Sequence, residues 1–309
     1  MVEFGDQKAL GSQLLHHFES EEKPITFIVG SGLTCNTVPG VQWYVDRMRS
    51  RFTGDELDDF DGQVQGPTQA QKYQQAAKFA KTHRNQRWLN AIIGWGVLQA
   101  MPGGDGMSFE DAQEISRDER FLSDVEQDRS YWSLGEGVEA FGSLLAMTAT
   151  RRWLVVTTNF DPLIEVSIQD SGEDPHTHAL ADDAKINRPL GRQKIEIAHV
   201  HGYYRSSTTL NAQSELDQSR PILTGSIKER LRGHYVVVCG YGGWRDCFTK
   251  VLLKQIKEDQ DLDMEISWAW HGPSVEEGPI VDALGKFRAI TQYEGVDVNE
   301  LFPKLVQSL

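Results

Sequence analysis

The side chains best suited to chemistry are Asn159, Asp161 and His201, each just beyond a short apolar run. Residues 153–165 read W-L-V-V-T-T-N-F-D-P-L-I-E. The apolar, β-branched start predicts a buried strand. Pro162 suits the first turn of a helix, where its missing N–H costs little. Thr158, Asn159 and Asp161 lie between the two, at the carboxyl end of a strand, where ligands bind in open α/β sheets. A helix cap would account for one of the three, but not for an amide and a carboxylate together. An amide orients water or hydroxyls without burying a charge, and an imidazole such as His201 exchanges protons near neutral pH.

Four other apolar runs end in the same manner. The run I-T-F-I-V at residues 25–29 leads into Gly30, Ser31, Gly32, Leu33 and Thr34. Such a turn lets backbone N–H groups approach a phosphate, although a tight strand-to-loop turn explains it equally well. Cys35 occupies the place of a third glycine, so the dinucleotide fingerprint is incomplete. Residues 195–200 (I-E-I-A-H-V) lead to His201 and Gly202. Residues 235–239 (Y-V-V-V-C) lead to Gly240, Tyr241, Gly242, Gly243, Trp244, Arg245 and Asp246. Residues 265–270 (E-I-S-W-A-W) lead from Trp270 to His271 and Gly272. Five such strand ends predict a nucleotide crevice along one edge of a sheet.

The elements that must position these residues alternate between strand and helix, which implies parallel strands and right-handed crossovers. Helices are expected over residues 6–20, 41–52, 162–168, from 225 within 221–232, and over 248–257 and 296–307, with a last strand at 287–291. Residues 53–67 read as a solvated loop. Its run of Asp55, Glu56, Asp58, Asp59 and Asp61 lacks the order of a calcium loop. From residue 68 to 150 no strand is convincing. The span holds Gln/Ala/Lys-rich stretches at 69–83, residues 109–117, an acidic connection and an expected helix near 135–149, and reads as helical throughout. The fold expected is therefore α/β: a Rossmann-like parallel sheet with helices on both faces and a helical insertion. Residues 1–52 and 151–309 would form the nucleotide-binding domain and residues 53–150 the insertion, placed to act as a lid.

Composition bounds the remaining choices. With 309 residues and a formal net charge of −14, unguided binding to a nucleic-acid backbone is opposed. No run is long enough to span a membrane, and the start lacks a signal-peptide pattern. Cys35, Cys239 and Cys247 form no C-x-x-C pair, so neither a cysteine zinc site nor a disulfide framework is expected, and a cytoplasmic setting is. His176, His178, His199 and His201 could in principle gather around zinc, but no carboxylate spacing supports it, and no metal is expected.

In order, G-S-G-L-T, T-T-N-F-D, H-G and G-Y-G-G-W-R-D resemble the motifs of the Sir2 superfamily: a glycine-rich turn, a T-Q-N-x-D motif and a catalytic His-Gly. Two departures matter. The region after His201 (residues 203–234) has none of the zinc-binding cysteines of sirtuin deacylases, and Pro39 is followed by Gly40 where those enzymes have a P-D-F-R turn. The zinc-free form is similar to bacterial Sir2-like NAD hydrolases of antiphage defence. The resemblance implies an NAD+ glycohydrolase that releases nicotinamide and ADP-ribose, with NAD+ as substrate, and depletes cellular NAD upon infection. It also implies a homo-oligomer and a partner such as a HerA-like ATPase or a short Argonaute. Asn159 would orient water or ribose, His201 would accept a proton, and Asp161 would meet the nicotinamide amide or the developing cation. Gly30, Ser31, Gly32 and Thr34 would take the pyrophosphate, with Thr158 beside them. Gly240, Tyr241 and Gly242 would approach ribose or phosphates, and Trp270, His271 and Gly272 the adenine end. The alternatives are an NAD-dependent deacylase or ADP-ribosyltransferase, and a non-catalytic module that senses NAD or ADP-ribose.

Overall fold

The computed structural model describes residues 4–20, 22–148, 151–188, 193–243, 264–272 and 290–309, together with Asp246, Thr249, Leu252, Leu253 and Leu284. Eight strands form one sheet: β1 (Phe4–Gly5), β2 (Ile25–Val29), β3 (Trp153–Thr157), β4 (His176–Ala179), β5 (Ile195–His199), β6 (Tyr235–Cys239), β7 (Glu265–Ala269) and β8 (Ile290–Tyr293). Their order is β1-β8-β7-β6-β2-β3-β5-β4 and every pairing is parallel. The chain grows from β2 toward β3, then crosses back to lay β6 on the other side of β2. The strand order thus reverses between β2 and β6, the usual ligand position of open α/β sheets.

The neighbouring strands β6, β2, β3 and β5 are buried at every position, as expected of strands covered on both faces. Alternate residues feed two cores. Ile25, Phe27 and Val29 pack on one side, and Ile28, Leu154 and Val156 on the other. The first core gathers α1 (Gln7–Ser20), α8 (Glu136–Met147), α9 (Leu163–Asp170) and the closing helix α12 (Val298–Ser308). Phe27, Phe141 and Phe302 lock β2, α8 and α12 together, with ring centroids 4.7–5.9 Å apart. The second core is covered by α11 (Pro221–Leu231), which begins on Pro221.

Between β2 and β3 the described residues form helices and no strand. α2 (Val41–Arg49), α3 (Asp55–Gln63), α4 (Gln69–His83), α5 (Gln86–Leu98), α6 (Phe109–Ile115) and α7 (Glu119–Val125) precede α8. The acidic run read as a loop is the helix α3. Asp55, Glu56 and Asp58 sit in its first turn, where they complement the helix dipole, and Phe60 is buried against Phe52 and Phe79. The acidic connection likewise contains α7, capped by the Asp118 side chain and anchored by Leu122 and Val125. Two short strands were not foreseen: β1, only two residues long, and β4, an edge strand of half-exposed histidines and threonine. The last strand is described over Ile290–Tyr293, and residues 287–289 of the expected one fall outside the described residues. Most of the expected helix at 248–257, with Trp244, Arg245, Cys247 and Pro273, falls outside the described residues. No helix among the described residues is long and apolar enough to cross a membrane.

Candidate active site

Hydrogen bonds carry the strand order past the strand ends and draw the loops together. Gly30 N–H donates to Cys239 O at 3.3 Å, Thr158 N–H to Val29 O at 3.3 Å, and Val200 N–H to Thr157 O at 2.9 Å. Gly32 N–H donates to Gly240 O at 2.8 Å. The backbones of the β2 and β6 loops touch at this point. A Cβ on Gly30 would lie 2.7 Å from Gly240 O, and one on Gly32 2.8 Å from Gly240 Cα. Gly240 itself has φ +59°, in the left-handed region that favours glycine.

These loops enclose a cavity that is open at its mouth. Ser31, Thr34 and Cys35 come from the β2 loop, Thr158 to Asp161 from the β3 turn, His201 from the end of β5, and Tyr241 and Gly242 from the β6 loop. Tyr44 from α2, Tyr73 from α4 and Val97 from α5 close the far side, with Leu210 and Asn211. Eight of the residues singled out in the sequence thus line one space: Ser31, Thr34, Thr158, Asn159, Asp161, His201, Tyr241 and Gly242. Gly30, Gly32 and Gly240 lie behind it as the loop contact. Trp270, His271 and Gly272 follow β7, one strand beyond β6, and do not line it; Trp270 stacks on Trp268 and donates to Gln292 Oε1 at 2.9 Å.

The polar groups of the cavity form a short relay. Asn159 Nδ2 donates to Thr34 Oγ1 at 3.3 Å, and Thr34 Oγ1 donates to Asp161 Oδ2 at 3.2 Å. Asp161 Oδ1 also accepts from Leu163 N–H at 3.3 Å, so it serves the start of α9 as well. Burial pushes the Asp161 carboxyl up to about 6, against the opposing pull of His199. Asn159 Oδ1 is buried and has no hydrogen-bond partner among the described residues. Buried polar atoms are ordinarily satisfied, so Asn159 Oδ1, left open on the cavity wall, marks a place for a polar ligand.

Sequence reasoning missed three parts of this site. Asp246 Oδ2 lies 3.1 Å from His201 Nε2. The carboxylate and the imidazole are therefore in direct polar contact. Asp246 Oδ2 accepts from Tyr241 O–H at 2.6 Å and Oδ1 from Thr249 N–H at 2.8 Å. Burial would raise this carboxyl, but His201 and those donors hold it below the usual range. Asp246 closes the G-Y-G-G-W-R-D run, so its signal was present. Tyr44, Tyr73 and Asn211 were invisible, because a helix sequence does not say which distant loop its tyrosines reach. Tyr73 O–H donates to Asn211 Oδ1, tying the inserted helices to the segment after β5. The third part, His199 with Glu165, lies beneath the β3 turn.

Residues 154–277 match the family profile described as SIR2-like domain. This stretch is similar to SIR2-like domains. The matched stretch contains T-T-N-F-D, the His-Gly after β5 and the β6 glycine loop, while the β2 glycine turn lies before it. SIR2-like domains are often NAD-utilising enzymes, so the similarity points to an NAD-related function. No curated protein matches the chain significantly.

Proposed function

We propose that this SIR2-like chain is an NAD+ glycohydrolase. The observation that carries the reading is Asn159 Oδ1, a buried polar atom with no hydrogen-bond partner among the described residues, on the same cavity wall as His201 at the carboxyl edge of the sheet. Breaking the nicotinamide–ribose bond builds positive charge on the ribose, as glycosidic cleavage does. Asn159 Oδ1 accepts a hydrogen bond from the attacking water or a ribose hydroxyl. Water adds to the anomeric carbon, the bonding electrons leave with nicotinamide, and the water proton passes to His201 and on to solvent. Asp161 meets the nicotinamide amide. Ser31 and the β2 loop face the phosphates.

The wider setting we propose is an NAD-depleting effector of antiphage defence in the cytoplasm, acting as a homo-oligomer under the control of a partner such as a HerA-like ATPase or a short Argonaute. Its support is the zinc-free motif set. Incubating the chain with NAD+, with and without an acetylated peptide, tests the activity. Nicotinamide and free ADP-ribose without peptide are expected. Products that require the peptide would favour the deacylase or transferase, and binding without turnover a sensing module.

A further inference from the structure

Beneath the catalytic turn lies a buried pair that the proposed chemistry does not use. His199 ends β5 and is fully buried, and Glu165 lies on the first turn of α9 with 5% of its surface exposed. His199 Nε2 lies 2.7 Å from Glu165 Oε1, and Nδ1 lies 2.7 Å from the backbone carbonyl oxygen of Asn159. A carbonyl oxygen only accepts, so Nδ1 carries a proton. Thr177 Oγ1 donates to the same Glu165 Oε1 at 3.0 Å. With Glu165 ionised, the imidazole donates from both nitrogens.

We infer that the His199 imidazolium, held by Glu165, is a positioning residue that fixes the Asn159 backbone and thereby aims the Asn159 side chain into the cavity. This rests on the NAD-hydrolase reading of the site. Three elements converge on the ring: β5 carries it, α9 supplies the counter-charge, and the β3 turn is what it holds. The titratable groups facing it are Glu165 from α9, Asp161 from the turn and the phenol of Tyr203, whose ring centroid lies 4.7 Å away. Burial alone would lower the His199 pKa, but Glu165, by charge and by hydrogen bond, raises it above the ordinary value, with the Asn159 carbonyl adding to the effect. An uncharged imidazole would leave either the carboxylate or the carbonyl without its donor, and buried groups left so are costly. Asn159 needs such an anchor because its own side chain makes one weak bond, to Thr34, and leaves Oδ1 to the ligand.

Two isosteric replacements separate the bonds. The amide nitrogen of an asparagine at 199 reaches the Nδ1 position, and that of a glutamine the Nε2 position. Each is combined with Glu165→Gln so that no bare carboxylate is buried. The His199→Gln/Glu165→Gln protein, which lacks the donor to Asn159, should lose about 100-fold in kcat at near-constant KM, the scale of a misaimed catalytic group. His199→Asn/Glu165→Gln should recover most of that loss at a similar melting temperature. Equal kcat in the two double variants would overturn the assignment. Ring-nitrogen NMR of the wild-type chain at pH 7 reads it without turnover: two protonated nitrogens on His199 support it, and one overturns it. A wild-type chain that releases no nicotinamide would sink the hydrolase reading while leaving the NMR result to decide the pair.

Discussion

Asp246 Oδ2 stands 3.1 Å from His201 Nε2, and both side chains are almost fully buried. The carboxylate is held by Tyr241, Thr249 and the imidazole together, and in the proposed reaction it would stabilise the proton that His201 takes up. Asp246→Asn removes that charge while keeping the shape. We expect kcat for nicotinamide release to fall about 100-fold with KM changed little, because losing one partner of a buried charge pair costs on the order of 3 kcal/mol. Steady-state kinetics check this, and an unchanged kcat would remove Asp246 from the account.

The second prediction concerns pH. Burial raises the Asp161 carboxyl to about 6, so folding favours its protonated form. Its contribution to stability is complete below the unfolded value of about 3.9 and is lost as pH rises through about 6. At pH 7.5 the chain therefore carries a buried carboxylate at a cost of at most about 3 kcal/mol. Asp161→Asn should raise the melting temperature at pH 7.5, lose that advantage near pH 4, and weaken turnover at both. Melting curves across this range check the sign; a variant less stable at pH 7.5 would contradict it.

The third follows from the loop contact. A methyl group on Gly32 would meet Gly240 Cα at 2.8 Å and its carbonyl oxygen at 2.9 Å, backbone atoms that cannot turn aside. Gly32→Ala should cost about 1–3 kcal/mol and lower the melting temperature by several degrees. Because the contact joins the two loops that carry Ser31 and Tyr241, KM for NAD+ should rise too. Calorimetry and kinetics on the same preparation test both parts.

How far the sequence disclosed this arrangement depended on the range of the interaction. The five strand ends were legible because strand and turn are written locally: an apolar run, then glycine or a polar cluster. The sheet that gathers Asn159, Asp161 and His201 followed from that alternation. α3 was missed because its acids were read as solvent-loving when they complement a helix start, with Phe60 as the buried anchor. The far wall of the cavity was missed for another reason. Tyr44, Tyr73 and Asn211 meet only after α2, α4 and the segment following β5 have packed. The role of His199 was hidden likewise, since it lies in a contact with Glu165, 34 residues away in the chain.

The central claim is that Asn159 and His201 act on NAD+ within this cavity. The most direct measurement is nicotinamide release by wild-type, Asn159→Ala and His201→Ala chains, with NAD+ binding followed by calorimetry on the same samples. The account predicts release by the wild type, at least a ~100-fold loss in each variant, and NAD+ binding that persists in both. Full turnover by either variant would contradict it.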